Sequence, residues 1–117
     1  MMVERATTES DVPIACSLAA IGSDELPRHR AVTQALFAEV IEQVERDDGF
    51  SYRLPPESGA LLLAAEFVTR ERHCCPFYTF TLELEPGGRA LWLRLTGEEG
   101  AKEVLQSGLD ELLTAGV

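Results

Sequence analysis

The sequence is short of basic residues. Ten Lys and Arg stand against twenty Asp and Glu among its 117 residues, so the formal net charge is −10. This negative field would repel a phosphate backbone, so the chain lacks the electrostatic surface that nucleic-acid-binding proteins use. No apolar run approaches the length that a bilayer-spanning helix needs. We therefore expect neither nucleic acid nor a membrane among its partners.

The first eleven residues lack the marks of an export signal. The stretch MMVERATTESD has neither a basic segment nor an apolar core, so we expect a cytoplasmic protein. We expect residues 1–11 to form a flexible N-terminal tail and residues 12–117 to form a single domain. A domain of this size buries about two thirds of its unfolded surface and needs no cross-links to fold.

Cysteine is scarce and follows no standard spacing. The three cysteines are Cys16, Cys74 and Cys75, and no C-x-x-C pattern is present. An odd number without an export signal argues against a disulfide framework. Adjacent cysteines rarely join each other, because the ring would strain the peptide between them. Reduced thiols, metal ligands and inert core residues are left as alternatives, and a single cysteine is most often a core residue.

Hydrophobic periodicity predicts the element order β-α-β-α-β-β-α. Residues 12–18 form a short strand or an extended entry, and a helix follows whose apolar face reaches Val44 and whose end is capped by Gly49. Strict alternation predicts strands over 50–54, 77–85 and 90–96, and further helices lie over 58–75 and 98–113. Strands with one polar face indicate an α+β fold, a two-layer sandwich whose mostly antiparallel sheet carries its helices on one face.

The second predicted helix places a carboxylate on its apolar face. At about 100° per residue, Glu71 falls in the middle of the apolar arc, and Cys74 and Cys75 fall on its flanks. A buried carboxylate is costly unless it is paired, protonated or bound to a metal. Two interpretations remain open. Glu71 forms a structural pair with Arg53, Arg72 or Arg94, or it shares a pocket with Cys74, Cys75 and Cys16.

A pocket of three thiols and one carboxylate suits a soft metal ion such as Zn, Cu(I) or Hg(II). The predicted metal ligands are therefore Cys16, Cys74, Cys75 and Glu71, with proton donation as an alternative role for Glu71. Cys75 precedes a proline, which favours leaving the helix and could turn Cys75 toward Cys74. His29 and His73 fall among polar residues, and we expect both to be solvated. No phosphate loop or other cofactor motif is present, so no organic cofactor is expected.

Three segments carry a resemblance to a known group of proteins. IACSL, ERHCCPFYTFTLEL and LTGEEGAKEVL together resemble small bacterial domains associated with heavy-metal-resistance genes and with regulators of the MerR type. The most specific element is E-x-x-C-C-P-F, which spans Glu71 to Phe77 here, and Cys16 in A-C-S-L is the second anchor. The resemblance implies a thiophilic-metal context and no particular reaction. The parts are also similar in kind to organomercurial lyases, where thiolates hold mercury and an acid protonates carbon.

The leading hypothesis is a cytoplasmic thiol module that binds a soft metal ion or a small organometal. A thiol redox protein is a second hypothesis, although cysteines at the carboxyl end of a helix are poorly placed to form thiolates. An accessory or dimerisation domain with core cysteines is a third. The sequence leaves open whether any reaction is catalysed and whether the chain forms a homodimer.

Overall fold

The computed structural model describes residues 16–114. Three α-helices and four β-strands follow one another in this part of the chain, with short 3₁₀ turns at Leu18–Ala20 and Pro86–Gly88. The elements are α1 (Leu26–Ala38), β1 (Glu42–Arg46), β2 (Gly49–Leu54), α2 (Ser58–Cys74), β3 (Thr79–Leu84), β4 (Leu91–Thr96) and α3 (Ala101–Thr114). Within residues 16–114, no helix combines the length and the apolar character that a membrane crossing requires.

The four strands form one antiparallel sheet in the order β1-β2-β4-β3. Its register aligns alternate apolar residues across the strands, so Leu93 of β4 faces Tyr52 on one side and Leu82 on the other. In β4 the residues of this face are fully buried, whereas Trp92 and Arg94 between them are partly exposed. The helices therefore cover one face of the sheet, which confirms the predicted two-layer α+β fold.

The prediction for the first helix is wrong at its end. α1 stops at Ala38, and the residues after it form the edge strand β1, which pairs with β2 through a two-residue turn at Asp47 and Asp48. Val44 matched the helical spacing, but it belongs to this strand, in which it is the one half-buried residue. Gly49 opens β2 and does not cap a helix. A local 3-4 spacing of apolar residues cannot distinguish a last helical turn from a polar edge strand.

The predicted first strand is also not formed where the structure describes it. Cys16 and Ser17 lie outside any strand, and Leu18 begins a 3₁₀ turn. The backbone of Ser17 is nonetheless extended, and its N–H donates to the carbonyl oxygen of Cys74 at 2.9 Å. This hydrogen bond holds the segment that precedes α1 against the end of α2. The rest of the predicted strand, residues 12–15, and the predicted tail lie outside the described residues.

Gly49 is required by a close approach between strands. A Cβ at this position would overlap the carbonyl oxygen of Leu95 and would lie 2.9 Å from the Cα of Thr96. Both atoms belong to the backbone of β4, so they cannot move aside as a side chain would. The absence of a side chain at Gly49 therefore lets the β1–β2 hairpin lie against the centre of the sheet.

α2 carries the face that the sequence predicted. Its buried residues are Ala60, Ala64, Phe67, Glu71 and Cys74, and it ends at Cys74, two residues before Pro76. An ion pair connects its surface to α1. Glu66 accepts a hydrogen bond from Arg28 of α1 at 2.7 Å and another from Arg70, within α2 itself, at 2.8 Å. These two bonds lower the pKa of the Glu66 carboxyl to about 2.

Candidate thiol and metal site

The end of α2 places two adjacent cysteines on one side of the backbone. Cys74 is the last helical residue, and Cys75 leaves the helical region with φ −129° and ψ 72°. The following proline disfavours helical geometry at Cys75, so the sequence itself dictates this exit. As a result the two Sγ atoms lie 3.5 Å apart. The predicted turn of Cys75 toward Cys74 is confirmed.

Cys16 completes a cluster of three thiol groups. The Sγ atoms of Cys16, Cys74 and Cys75 all lie within 4.8 Å of one another. Cys74 and Cys75 are buried, with exposed fractions of 2% and 1%, whereas Cys16 is only partly buried. The backbone bond from Ser17 to Cys74 holds Cys16 in this position. We name these three residues the thiol cluster. The predicted convergence of the three cysteines is confirmed.

Two of the three sulfurs are bonded to each other. A disulfide joins Cys16 to Cys75, 59 residues apart in the sequence, and Cys74 stays outside it. The expectation of reduced thiols is therefore wrong for this pair. Counting cysteines could not reveal it, because an odd total argues against a framework of several bonds and says little about a single bond.

Glu71 lies beside the cluster and is bound to a buried histidine. Its Oε1 is 2.7 Å from Nε2 of His29, and its Oε2 is 3.6 Å from Sγ of Cys75. His29 is completely buried and Glu71 is 2% exposed. The His29 ring also stacks on Phe67 at a centroid distance of 5.6 Å. Glu71 therefore contacts the thiol cluster through Cys75, and its hydrogen bond to His29 connects it to α1.

The donor in the hydrogen bond between His29 and Glu71 can be assigned from the burial of the ring. Nδ1 of His29 is buried and has no hydrogen-bond partner among residues 16–114. A bare acceptor nitrogen is less costly there than an unsatisfied N–H, so we assign the proton to Nε2, which donates to Glu71. Cys75 has no proton while it is in the disulfide, so its contact with Oε2 of Glu71 becomes a hydrogen bond only after reduction.

The structure shows that Glu71 is paired with a residue other than the predicted arginines. None of the three predicted arginines is its hydrogen-bond partner. Arg53 pairs with Glu42 at 3.8 Å, Arg94 pairs with Glu83, and Arg72 donates to the carbonyl oxygen of Thr69. The structural pairing therefore exists, but with a histidine from the other helix.

His29 is the residue that the sequence analysis missed. The expectation that it is solvated is wrong, whereas His73 is exposed as predicted. A signal was present, because His29 precedes Val32 by three residues and Leu36 by seven, so it shares their helical face. Its two neighbours in the sequence, Arg28 and Arg30, are charged, so the segment was interpreted as a polar, solvated part of the helix.

Tyr78 lies near the site, and its pKa is affected by Glu71 and Cys74. Tyr78 is 7% exposed, and its hydroxyl donates to the carbonyl oxygen of Ala101 at 3.4 Å. Burial raises the pKa of this hydroxyl, and the nearby Glu71 adds to the effect, followed by Tyr52 and Cys74. Tyr78 therefore stays neutral and contributes a hydrogen bond to the N-terminal turn of α3.

The thiol cluster could bind a metal ion. Sulfurs bonded to one zinc ion at about 2.3 Å lie about 4 Å apart. The three Sγ atoms of the cluster lie within 4.8 Å of one another, so they are close enough together to share one ion once the disulfide is reduced. The place of Glu71 as a ligand or proton donor stays a prediction. No family model matches the chain, and comparisons with curated proteins and with solved structures give no match.

Proposed function

We propose that this protein binds one soft metal ion, or a small organometal, through Cys16, Cys74 and Cys75 when the Cys16–Cys75 disulfide is reduced. The observation that carries the proposal is the convergence of all three cysteines of the chain within 4.8 Å. Thiolates select soft ions, and three of them favour ions that accept three sulfur donors, such as Hg(II) or Cu(I). Zinc would need a fourth donor from water or a small molecule.

The surroundings of the cluster support the same function. Two of the sulfurs are shielded from solvent, so a bound ion would be held in a low-dielectric site with little access for competing water. Glu71 orients Cys75 in the reduced state by accepting its S–H, and His29 orients Glu71 in turn. A cytoplasmic location, where thiols are kept reduced, suits this function. The resemblance to domains from heavy-metal-resistance contexts supports it further.

A titration of the reduced protein tests the proposal. We expect Cd(II) or Hg(II) to bind one ion per chain, with the ultraviolet charge-transfer band of metal thiolates, and native mass spectrometry to count the ion. Cys74→Ser retains Cys16 and Cys75, the two cysteines of the disulfide, but removes one ligand. It should therefore weaken binding by about 100-fold or more. His73→Ala is the matched control, because His73 is exposed on the same helix. Its affinity should equal that of the wild type.

Three outcomes would overturn the proposal. One is a reduced protein that takes up no metal in stoichiometric amount. Another is a Cys74→Ser variant that binds as well as the wild type, which would leave the cluster without a common ion. Binding to the oxidised protein at full affinity would also contradict it, since two of the three ligands are then consumed by the disulfide.

The disulfide favours a second candidate, a thiol redox protein. Cys74 lies 3.5 Å from the Cys75 sulfur, so its thiol is within reach of the bond and could take part in exchange. A redox protein would turn over a disulfide substrate with a dithiol reductant and would lose that activity in Cys16→Ser. A metal-binding protein would show no such turnover while retaining the titration described above.

A further inference from the structure

We propose that Cys16 is the site at which low-molecular-weight thiols enter the thiol cluster and become covalently attached. The inference goes beyond metal binding, because it concerns the order in which the three sulfurs react. It rests on the Cys16–Cys75 disulfide and on the unequal exposure of its two sulfurs. Cys16 is partly exposed, whereas Cys75 is 1% exposed and Cys74 is 2% exposed.

Thiol–disulfide exchange depends on which of the two sulfurs a thiolate can reach. The nucleophile must approach in line with the S–S bond, from the far side of the sulfur that it attacks. The surroundings of the Cys75 sulfur are occupied by Cys74 at 3.5 Å and by Oε2 of Glu71 at 3.6 Å. Cys75 is therefore closed to an external thiol, and Cys16 is the accessible end of the bond.

The exchange step balances without any further reactant. An external thiol attacks Sγ of Cys16, a new bond forms between the two sulfurs, and the Cys16–Cys75 bond breaks. The electron pair of the broken bond stays on Sγ of Cys75, which takes the proton that the incoming thiol loses. The products are a mixed disulfide on Cys16 and a thiol at Cys75. A second thiol molecule then attacks the external sulfur, leaves as the oxidised dimer and yields the Cys16 thiol.

The sulfur that leaves already has a hydrogen-bond acceptor beside it. Oε2 of Glu71 lies 3.6 Å from Sγ of Cys75 and accepts its new S–H. His29 fixes the other carboxyl oxygen at 2.7 Å, so the acceptor needs no rearrangement. The buried side of the cluster therefore stabilises the Cys75 thiol, and the solvent side holds the modified Cys16. Opening the disulfide in this order would expose the proposed metal ligands one at a time.

Single-cysteine variants test the assignment without metal. Cys74→Ser/Cys75→Ser leaves only Cys16, and Cys16→Ser/Cys74→Ser leaves only Cys75; both lack the disulfide equally. With oxidised glutathione and a chelator present, we expect mixed-disulfide formation at Cys16 to be at least about ten-fold faster than at Cys75. Intact mass and circular dichroism follow the reaction and the fold. Equal rates in two folded variants, or faster reaction at Cys75, would overturn the proposal.

The wild-type protein gives a second test that does not depend on variant folding. The oxidised protein is mixed with reduced glutathione in excess, quenched with acid after short times, and mapped by peptide mass spectrometry. We expect glutathione on Cys16 in the intermediate, and its appearance on Cys75 or Cys74 would contradict the proposal. A protein dithiol that reduces the bond while glutathione leaves it intact would also contradict it. Because no metal is present, failure here leaves the proposed metal binding to be judged by its own titration.

Discussion

Nε2 of His29 on α1 lies 2.7 Å from Oε1 of Glu71 on α2, and both side chains are almost fully buried. This hydrogen bond connects the two helices beneath the thiol cluster. A buried acid and its partner are strongly interdependent, because either group alone would remain desolvated without compensation. The pair therefore links the packing of the helices to the position of the carboxyl group beside Cys75.

The interdependence of this pair can be measured with a double-mutant cycle. We expect His29→Leu to lower the free energy of unfolding by about 3 kcal/mol, because it leaves the Glu71 carboxyl buried without a strong donor. Glu71→Leu should cost about 1–3 kcal/mol by leaving the His29 N–H unsatisfied. The double variant should lose less than the sum, with a coupling energy of about 1–3 kcal/mol in urea denaturation.

The exposed pair Arg94 and Glu83 provides the control cycle for this experiment. These two residues lie on the open face of the sheet, where solvent weakens the interaction. Their coupling energy should stay below about 1 kcal/mol. If the losses for His29 and Glu71 are additive, so that their coupling energy is as small as that of the surface pair, the buried hydrogen bond does not make the two residues interdependent.

Acid should weaken the contact between α1 and α2 through Glu66. The hydrogen bonds from Arg28 and Arg70 lower its pKa from the ordinary 4.5 to about 2 in the folded protein. A lowered folded pKa means that this stabilisation is complete above about pH 4.5 and is lost as the pH falls toward 2. Urea denaturation between these pH values should therefore show a smaller pH dependence for Glu66→Gln than for the wild type.

A second variant separates this effect from general acid denaturation. Glu39 is exposed at the end of α1, so Glu39→Gln should keep the wild-type pH dependence across the same window. The comparison is restricted to low salt, since Glu66 is 28% exposed and salt screens such pairs. Parallel curves for Glu66→Gln and the wild type would show that the arginines do not stabilise the ionised carboxyl in the folded state.

The sequence predicted the parts of the fold whose patterns are strong over several residues. β3 alternates polar and apolar residues across six residues, and β4 alternates buried leucines with partly exposed residues. The face of α2 follows helical spacing from Ala60 to Cys74. β1 was missed because it is a polar edge strand in which only Val44 is partly buried. Edge strands carry charged residues that prevent further pairing, and the same charges remove the alternation that identifies a strand.

The sequence predicted Glu71 and the three cysteines of the site, but neither its histidine nor its disulfide. The helical period placed Glu71 and Cys74 on the buried face of α2, and Pro76 indicated that Cys75 leaves the helix and turns toward Cys74. His29 comes from another helix, and no local pattern shows which buried groups from distant segments will meet. The bond between Cys16 and Cys75 spans 59 residues, and its formation depends on the tertiary position of Ser17 against Cys74.

A substitution at Gly49 tests the close packing of the β1–β2 hairpin against β4. We expect Gly49→Ala to destabilise the protein by about 2–3 kcal/mol, because the new Cβ would collide with the backbone at Leu95 and Thr96. Gly59→Ala is the control. It lies in the first turn of α2 with open space around it, so alanine should be neutral or stabilise by up to about 1 kcal/mol. Equal effects in thermal denaturation would contradict the close approach.

Reduction of the Cys16–Cys75 disulfide should destabilise the protein, and metal should reverse the loss. A bond that closes a loop of 59 residues contributes about 4 kcal/mol in the chain-entropy account. Urea denaturation with and without a phosphine reductant should show this difference in the wild type and in Cys74→Ser, which keeps the bond. Cys16→Ser should be insensitive to the reductant.

The metal arm of the same experiment links stability to the proposed function. An ion that binds only the folded, reduced protein at about 1,000 times its Kd adds about 4 kcal/mol. Cd(II) should therefore return the reduced wild type to about the stability of the oxidised form, and it should do much less for Cys74→Ser. Reduced protein that is as stable as the oxidised form would contradict the disulfide as a stabilising bond. Recovery of Cys74→Ser to the wild-type level would instead show that Cys74 is not a ligand.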